Sequence, residues 1–119
     1  MITLTAEELR YLYDKMTGVM DTNEYAIEDK VLSIELNRIR EKYGIPEERA
    51  AAIAETIISK QIFPAQNTAI GLLALLTMLE LNRIKISYTQ SELAMLGNAI
   101  HAGAYQYDDI CQWILEHKS

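Results

Sequence analysis

Gln61-Ile62-Phe63-Pro64-Ala65-Gln66-Asn67-Thr68-Ala69 runs straight into the apolar stretch 70–81. That stretch decides the fold. Its polar side chains are Thr77, inside, and Glu80, near its end, so a helix built from it is apolar on nearly all sides and belongs at the centre of a bundle. Spanning a bilayer takes about 20 apolar residues, so this run fits a buried core helix instead. Pro64 breaks the helical pattern before it, which makes 61–66 a loop. Asn67 reads as the N-cap of a helix over 68–82, because an Asn side chain accepts from a first-turn N–H. A loop that ends at a helix N-terminus offers unpaired N–H groups and a positive dipole end, the outline of a phosphate-handling turn. Yet residues 61–69 hold no His, no acid, no Lys and no Arg.

Working outward, helix signals fill nearly the whole chain. Thr5 with Glu8 has the spacing of a capping box, followed by Leu9, Leu12, Tyr13 and Met16 at helical period, with Gly18 as the stop. Asp21, Thr22 and Asn23 offer a second N-cap, and Leu32, Leu36, Ile39 and Tyr43 form the next apolar stripe. Gly44 suits a left-handed C-terminal stop. Pro46 suits the first position of a third helix, with Glu47 and Glu48 at its positive end. Thr89 with Glu92 repeats the capping box ahead of Leu93, Leu96 and Ile100, and Gly103 closes that element. Asp108 or Asp109 opens a last helix, with Ile110, Trp113 and Ile114 inward and His117 and Lys118 at its negative end. Ile84 and Ile86 alternate with Lys85 over too few residues to define a strand. The expectation is an all-α, compact single-domain bundle of about six helices over residues 1–119, with a nearly all-apolar central helix.

The 119 residues suit one core, and the balance of 50% apolar to 24% charged is that of an ordinary globular chain. A formal charge of −6 argues against a nucleic-acid or anionic-membrane partner, since those select clustered Lys and Arg. Cys111 is the lone cysteine, so no internal disulfide forms, and a reducing, cytoplasmic compartment is expected. The first residues show no basic segment followed by an apolar one, and so no secretory signal is expected. Two histidines, His101 and His117, lie far apart and without acids at ligand spacing, so no metal site is expected.

Several segments, in order, resemble the Fic/Doc family, specifically its Doc ("death on curing") toxin branch. Leu4-Thr5-Ala6-Glu7-Glu8-Leu9 followed by Leu12-Tyr13-Asp14 resembles the family's opening helix. Glu48-Arg49-Ala50-Ala51-Ala52-Ile53 resembles the helix that leads into its active loop. Residues 61–69 fall where the family carries His-x-Phe-x-(Asp/Glu)-(Gly/Ala)-Asn-Lys-Arg. Leu79-Glu80-Leu81-Asn82 resembles the end of the helix after that signature, and Ser91-Glu92-Leu93 through Gly103 to residues 109–115 resembles the closing pair of helices. Residues 19–43 match least.

The resemblance implies a scaffold for transferring phosphate or nucleotide from a nucleoside triphosphate to a protein hydroxyl. In the family the signature His is the general base, the acid holds Mg²⁺, the small-residue–Asn turn cradles phosphate, and the Lys and Arg stabilise it. Here Gln61 stands at the His position, and an amide takes up no proton near neutral pH. Ala65 stands at the acid position and offers no metal oxygen. Thr68 and Ala69 stand at the Lys and Arg positions, leaving no cation for developing charge. Gln66 replaces the small residue and adds bulk where the backbone must approach. Phe63 and Asn67 match, Phe63 as a core anchor and Asn67 as helix cap or phosphate contact.

The expected function is therefore that of a catalytically degenerate Doc-like protein with no cofactor. It acts by binding an antitoxin-like or host protein, in a toxin–antitoxin or phage/prophage setting that the resemblance alone suggests. Tyr105 and Tyr107, between two expected helices, are the candidate interaction surface, because Tyr carries interface contacts well. One alternative is a divergent Doc-like enzyme using ATP and Mg²⁺, with Glu47, Glu48, Glu55 or Lys60 as replacement groups. Another is an unrelated small helical interaction module.

Overall fold

The computed structural model describes residues 1–18 and 26–119, with side chains in the second segment from residue 30 onward. Among these residues the fold is all-α, with α1 (Ala6–Thr17), α2 (Ala26–Lys42), α3 (Pro46–Lys60), α4 (Asn67–Leu81), α5 (Gln90–His101) and α6 (Tyr107–His117). The proposed cap at Asp21, Thr22 and Asn23 lies outside the described residues.

Both capping boxes form. The Thr5 hydroxyl accepts from the Glu8 N–H and Glu8 accepts from the Thr5 N–H; Thr89 and Glu92 do the same for α5. Gly18 closes α1 at φ 77°, a left-handed conformation that costs a residue without Cβ little. Pro46 takes the first position of α3.

Gly44 does not act as the expected left-handed stop of α2, because its φ is not positive. The Arg49 guanidinium does that work from α3. It donates to Tyr43 O at 2.7 Å and Arg40 O at 3.0 Å, satisfying carbonyls that a helix end leaves unpaired, and to Thr3 Oγ1 at 2.7 Å. The last helix opens one residue before the expected caps. Tyr107 is its first residue, and Asp109 reaches back to accept from the Gln106 N–H at 3.0 Å. Ile84 and Ile86 contribute a single antiparallel bridge, Ile86 to Lys118, and no strand among the described residues.

The core is the α3–α4 pair. α4 is apolar on nearly all sides, and α3, which packs on it most extensively, carries Ala50, Ala51 and Ala54, all fully buried. Small residues let the two backbones approach. A Cβ at Gly71 would fall 2.6 Å from Ile58 Cγ1 and 3.3 Å from the Ala54 carbonyl oxygen, so Gly71 is required by contact. α6 and α2 pack on α3, and α5 and α1 pack on α4. The buried side chains form one contiguous cluster, and the Cα radius of gyration of 13.4 Å matches the roughly 13.5 Å of a globular chain this long.

Candidate functional site

The turn from α3 into α4 is bounded by two glutamines in left-handed backbone, Gln61 at φ 52° and Gln66 at φ 54°. Such a conformation costs an L-residue roughly 1–2 kcal/mol, so something must hold it. Asn67 does. It is the first residue of α4, and its side chain turns back into the loop. Its Oδ1 accepts from the Phe63 N–H at 2.8 Å, and its Nδ2 donates to the Phe63 carbonyl at 2.9 Å and more weakly to Gln61 Oε1 at 3.4 Å. The expected N-cap role is thereby corrected. Gln66 is the N-cap residue, and no side chain caps α4. Asn67 is 4% exposed, and its amide is engaged at both ends.

Phe63 is buried as expected and stacks on Tyr13 of α1, ring centroids 4.4 Å apart. Gln61 donates from Nε2 to Ile58 O at 2.6 Å. Ala65, Gln66 and Ala69 are exposed and Thr68 is half-buried. The turn thus holds a backbone geometry with no acid, base or cation, and its asparagine is committed inward.

Two of the groups that could have replaced the signature residues, Lys60 and Glu47, are engaged in ion pairs. Lys60 Nζ binds Glu35 Oε1 at 2.7 Å. Glu47 pairs with Lys118; burial alone would raise its carboxyl, but the ammonium bond and charge hold it below the usual carboxylate range. Glu48 lies half-buried on the side of Tyr107 and Cys111, where its charge discourages ionisation of both. Glu55 is half-buried on α3. No cluster of His, Cys, Asp and Glu that could hold a metal occurs among the described residues.

The structure separates the tyrosine pair. Tyr107 is a packing residue. It stacks on Tyr43 at the end of α2, centroids 4.6 Å apart, and burial together with the neighbouring Cys111 sulfur pushes its phenol far above the usual range. Burial also raises the Cys111 thiol, which disfavours the reactive thiolate. Tyr105, 37% exposed, lines a groove of about 280 Å³ between α5 and α6. Met95, 68% exposed, lines the same groove with Leu96, Ala99 and Trp113.

One end of this groove carries a polar clasp that sequence reading did not find. The His117 ring stacks on Trp113 at 3.9 Å. Its Nδ1 lies 2.7 Å from Trp113 O and its Nε2 2.9 Å from Glu92 Oε2. A carbonyl and a carboxylate both accept, so both ring nitrogens donate and the ring is an imidazolium when the clasp is closed. The Trp113 carbonyl and then Glu92 raise its pKa against the opposing effect of burial. Glu92 is held low, first by the Thr89 N–H and then by His117. His at a helix C-terminus was a visible signal; its partner 25 residues away was not.

No family model matches this chain, and no curated protein matches it.

Proposed function

We propose that this protein is a helical protein-binding module whose turn before the central helix is structural and whose working surface is the groove between α5 and α6. The observation that carries this reading is the state of Asn67. With its amide bonded at both ends to the Phe63 backbone, the asparagine of the turn is taken up by the fold, and the turn holds no acid, base or cation beside it. The groove, in contrast, presents apolar and aromatic side chains to solvent, and its size suits one or two large partner side chains. Met and Tyr are favoured at such surfaces because Met adapts its shape and Tyr supplies rigid area. In this reading the chain is a Doc-like scaffold without the family's chemistry, and its partner is a protein, antitoxin-like or from a host. The toxin–antitoxin or phage setting follows from the family resemblance only. No observation favours the divergent-enzyme reading, since Glu47 and Lys60 are committed to ion pairs.

The test pairs two variants, Met95→Ser with Tyr105→Ser against Gln61→Ala with Gln66→Ala. All four positions are exposed, so both variants keep the circular dichroism of the parent. Tagged protein is used to capture partners from the native host, with quantification by mass spectrometry. The groove variant loses the specific partner and the loop variant keeps it. The opposite pattern would refute the assignment.

A further inference from the structure

Between α4 and α5 the chain is extended over residues 84–88, and its side chains alternate. Ile84, Ile86 and Tyr88 are half-buried against the core, while Lys85 and Ser87 are exposed. One edge of this segment is paired. The Ser87 N–H donates to His117 O at 2.8 Å and the Ser119 N–H donates to Lys85 O at 3.1 Å, on either side of the Ile86–Lys118 bridge. In an antiparallel ladder, the residue between two such bonds turns its own N–H and C=O to the opposite edge. Ile86 does so, and among the described residues neither of these groups has a hydrogen-bond partner. The Ile84 carbonyl and the Tyr88 N–H, two residues to either side, are likewise unbonded. A groove of about 720 Å³ runs along residues 83–88, with Leu76, Leu79 and Glu80 of α4 and Ser119 as the rest of its lining.

We infer that residues 84–88 are a docking edge for an extended, acidic segment of a protein partner, which pairs with them as a further strand. A row of unbonded backbone acceptors and donors is matched by another extended backbone. A helix cannot supply that match, because its own N–H and C=O groups are already paired. The register fixes the side chains. The partner residue opposite Ile86 shares its face and points inward, beside the half-buried isoleucines. Its two neighbours point outward, level with Lys85 and Ser87. Arg83 and Lys85 are exposed, and neither makes an ion pair among the described residues. Glu80 is the one acidic side chain lining the groove, and Ser119 bonds Lys85 from the edge already paired. The outward positions of the partner therefore take acids, which gives it an acid–apolar–acid pattern. A second copy of the chain is disfavoured, because joining two such edges gathers both copies of Arg83 and Lys85 at one interface. This edge is separate from the α5–α6 groove and does not depend on what that groove binds.

The test is an amide NMR titration of the full ¹⁵N-labelled chain with the end-capped peptide acetyl-Glu-Val-Glu-Val-Glu-amide in about 50 mM salt, low enough to limit screening. Saturable shifts centre on residues 84–88. Exchange of the Ile86 amide hydrogen slows on binding, while that of Ser87, which is bonded already, changes little. Methylating both valine nitrogens of the peptide removes the donors aimed at the edge and weakens binding at least about ten-fold. Lys85→Glu combined with Arg83→Glu weakens it by at least about the same factor, as does replacing the three peptide glutamates with lysine. Both substituted positions are exposed, and circular dichroism verifies folding of the variant. No saturable shift at millimolar peptide overturns the inference. So does equal binding of the N-methylated or the lysine peptide, or a set of shifts centred on Met95, Tyr105 and Trp113, which would assign the peptide to the α5–α6 groove instead.

Discussion

At each end of α4 an asparagine grips one backbone residue from two sides, Asn67 on Phe63 and Asn82 on Ile2. The bonding pattern is the same: the amide oxygen accepts an N–H and the amide nitrogen donates to the carbonyl of that same residue. Their surroundings differ. Asn67 works four residues from its partner, beneath the surface, where water cannot replace it. Asn82 reaches across 80 residues to the start of the chain and does so in the open, with its Nδ2 also donating to Met78 O at 2.8 Å. A hydrogen bond is worth what its groups would lose without it. The inner clasp therefore sets stability, and the outer one mainly sets where the N-terminal segment lies.

Substitutions separate the two ends. The largest effect is expected at what the inner clasp holds. Phe63→Ala removes a buried ring stacked on Tyr13 and costs about 3–5 kcal/mol in a denaturant melt. Asn67→Ala leaves the buried N–H and carbonyl of Phe63 without partners and costs about 2–3 kcal/mol. Asn82→Ala exposes the same two groups of Ile2 to water and costs about 0.5–1 kcal/mol. Equal losses at Asn67 and Asn82 would mean that burial does not govern these clasps.

The smallest effect belongs to the His117–Glu92 clasp, which lies away from both ends of α4. Glu116 on the same helix and Lys118, paired to Glu47 of α3, complete its charged surroundings. The His117 pKa is raised in the folded state, so its contribution is full below the ordinary histidine value of about 6.5 and fades as pH rises through the folded value. Glu92 is lowered, so its contribution is full above the ordinary glutamate value of about 4.3 and fades as pH falls through the folded value. The clasp thus works best between those two limits. In melts at pH 5.5 and 8.5, His117→Gln narrows the difference that the parent shows; an unchanged difference would remove the clasp from the account.

Much of the scaffold was legible in the sequence because its signals are local. Two capping boxes, Pro46 at a helix start and Gly18 at a helix end each depend on residues within one turn. The nearly all-apolar stretch after residue 69 identified the central helix for the same reason. What stayed hidden depends on partners distant in sequence or on a choice between two equivalent local bonds. An asparagine at position 67 can cap α4 or turn into the loop, and the left-handed Gln66 selects the second. Gly44 carried the composition of a helix stop, yet Arg49 supplies the bonds from the next helix. Tyr105 and Tyr107 look alike in the chain; opening α6 at Tyr107 turns that ring onto Tyr43, leaving Tyr105 to the groove. The His117 clasp joins residues 25 apart, beyond any local pattern.

The central claim is that the turn before α4 is a closed structural element with no nucleotide chemistry. Its most direct test is an amide NMR titration of the ¹⁵N-labelled protein with ATP and Mg²⁺ to millimolar concentration, with intact mass recorded at the end. The account predicts no saturable shift among residues 61–69 and no added mass. Saturating shifts centred on the 66–69 amides, or an adduct of phosphate or nucleotide mass, would contradict it.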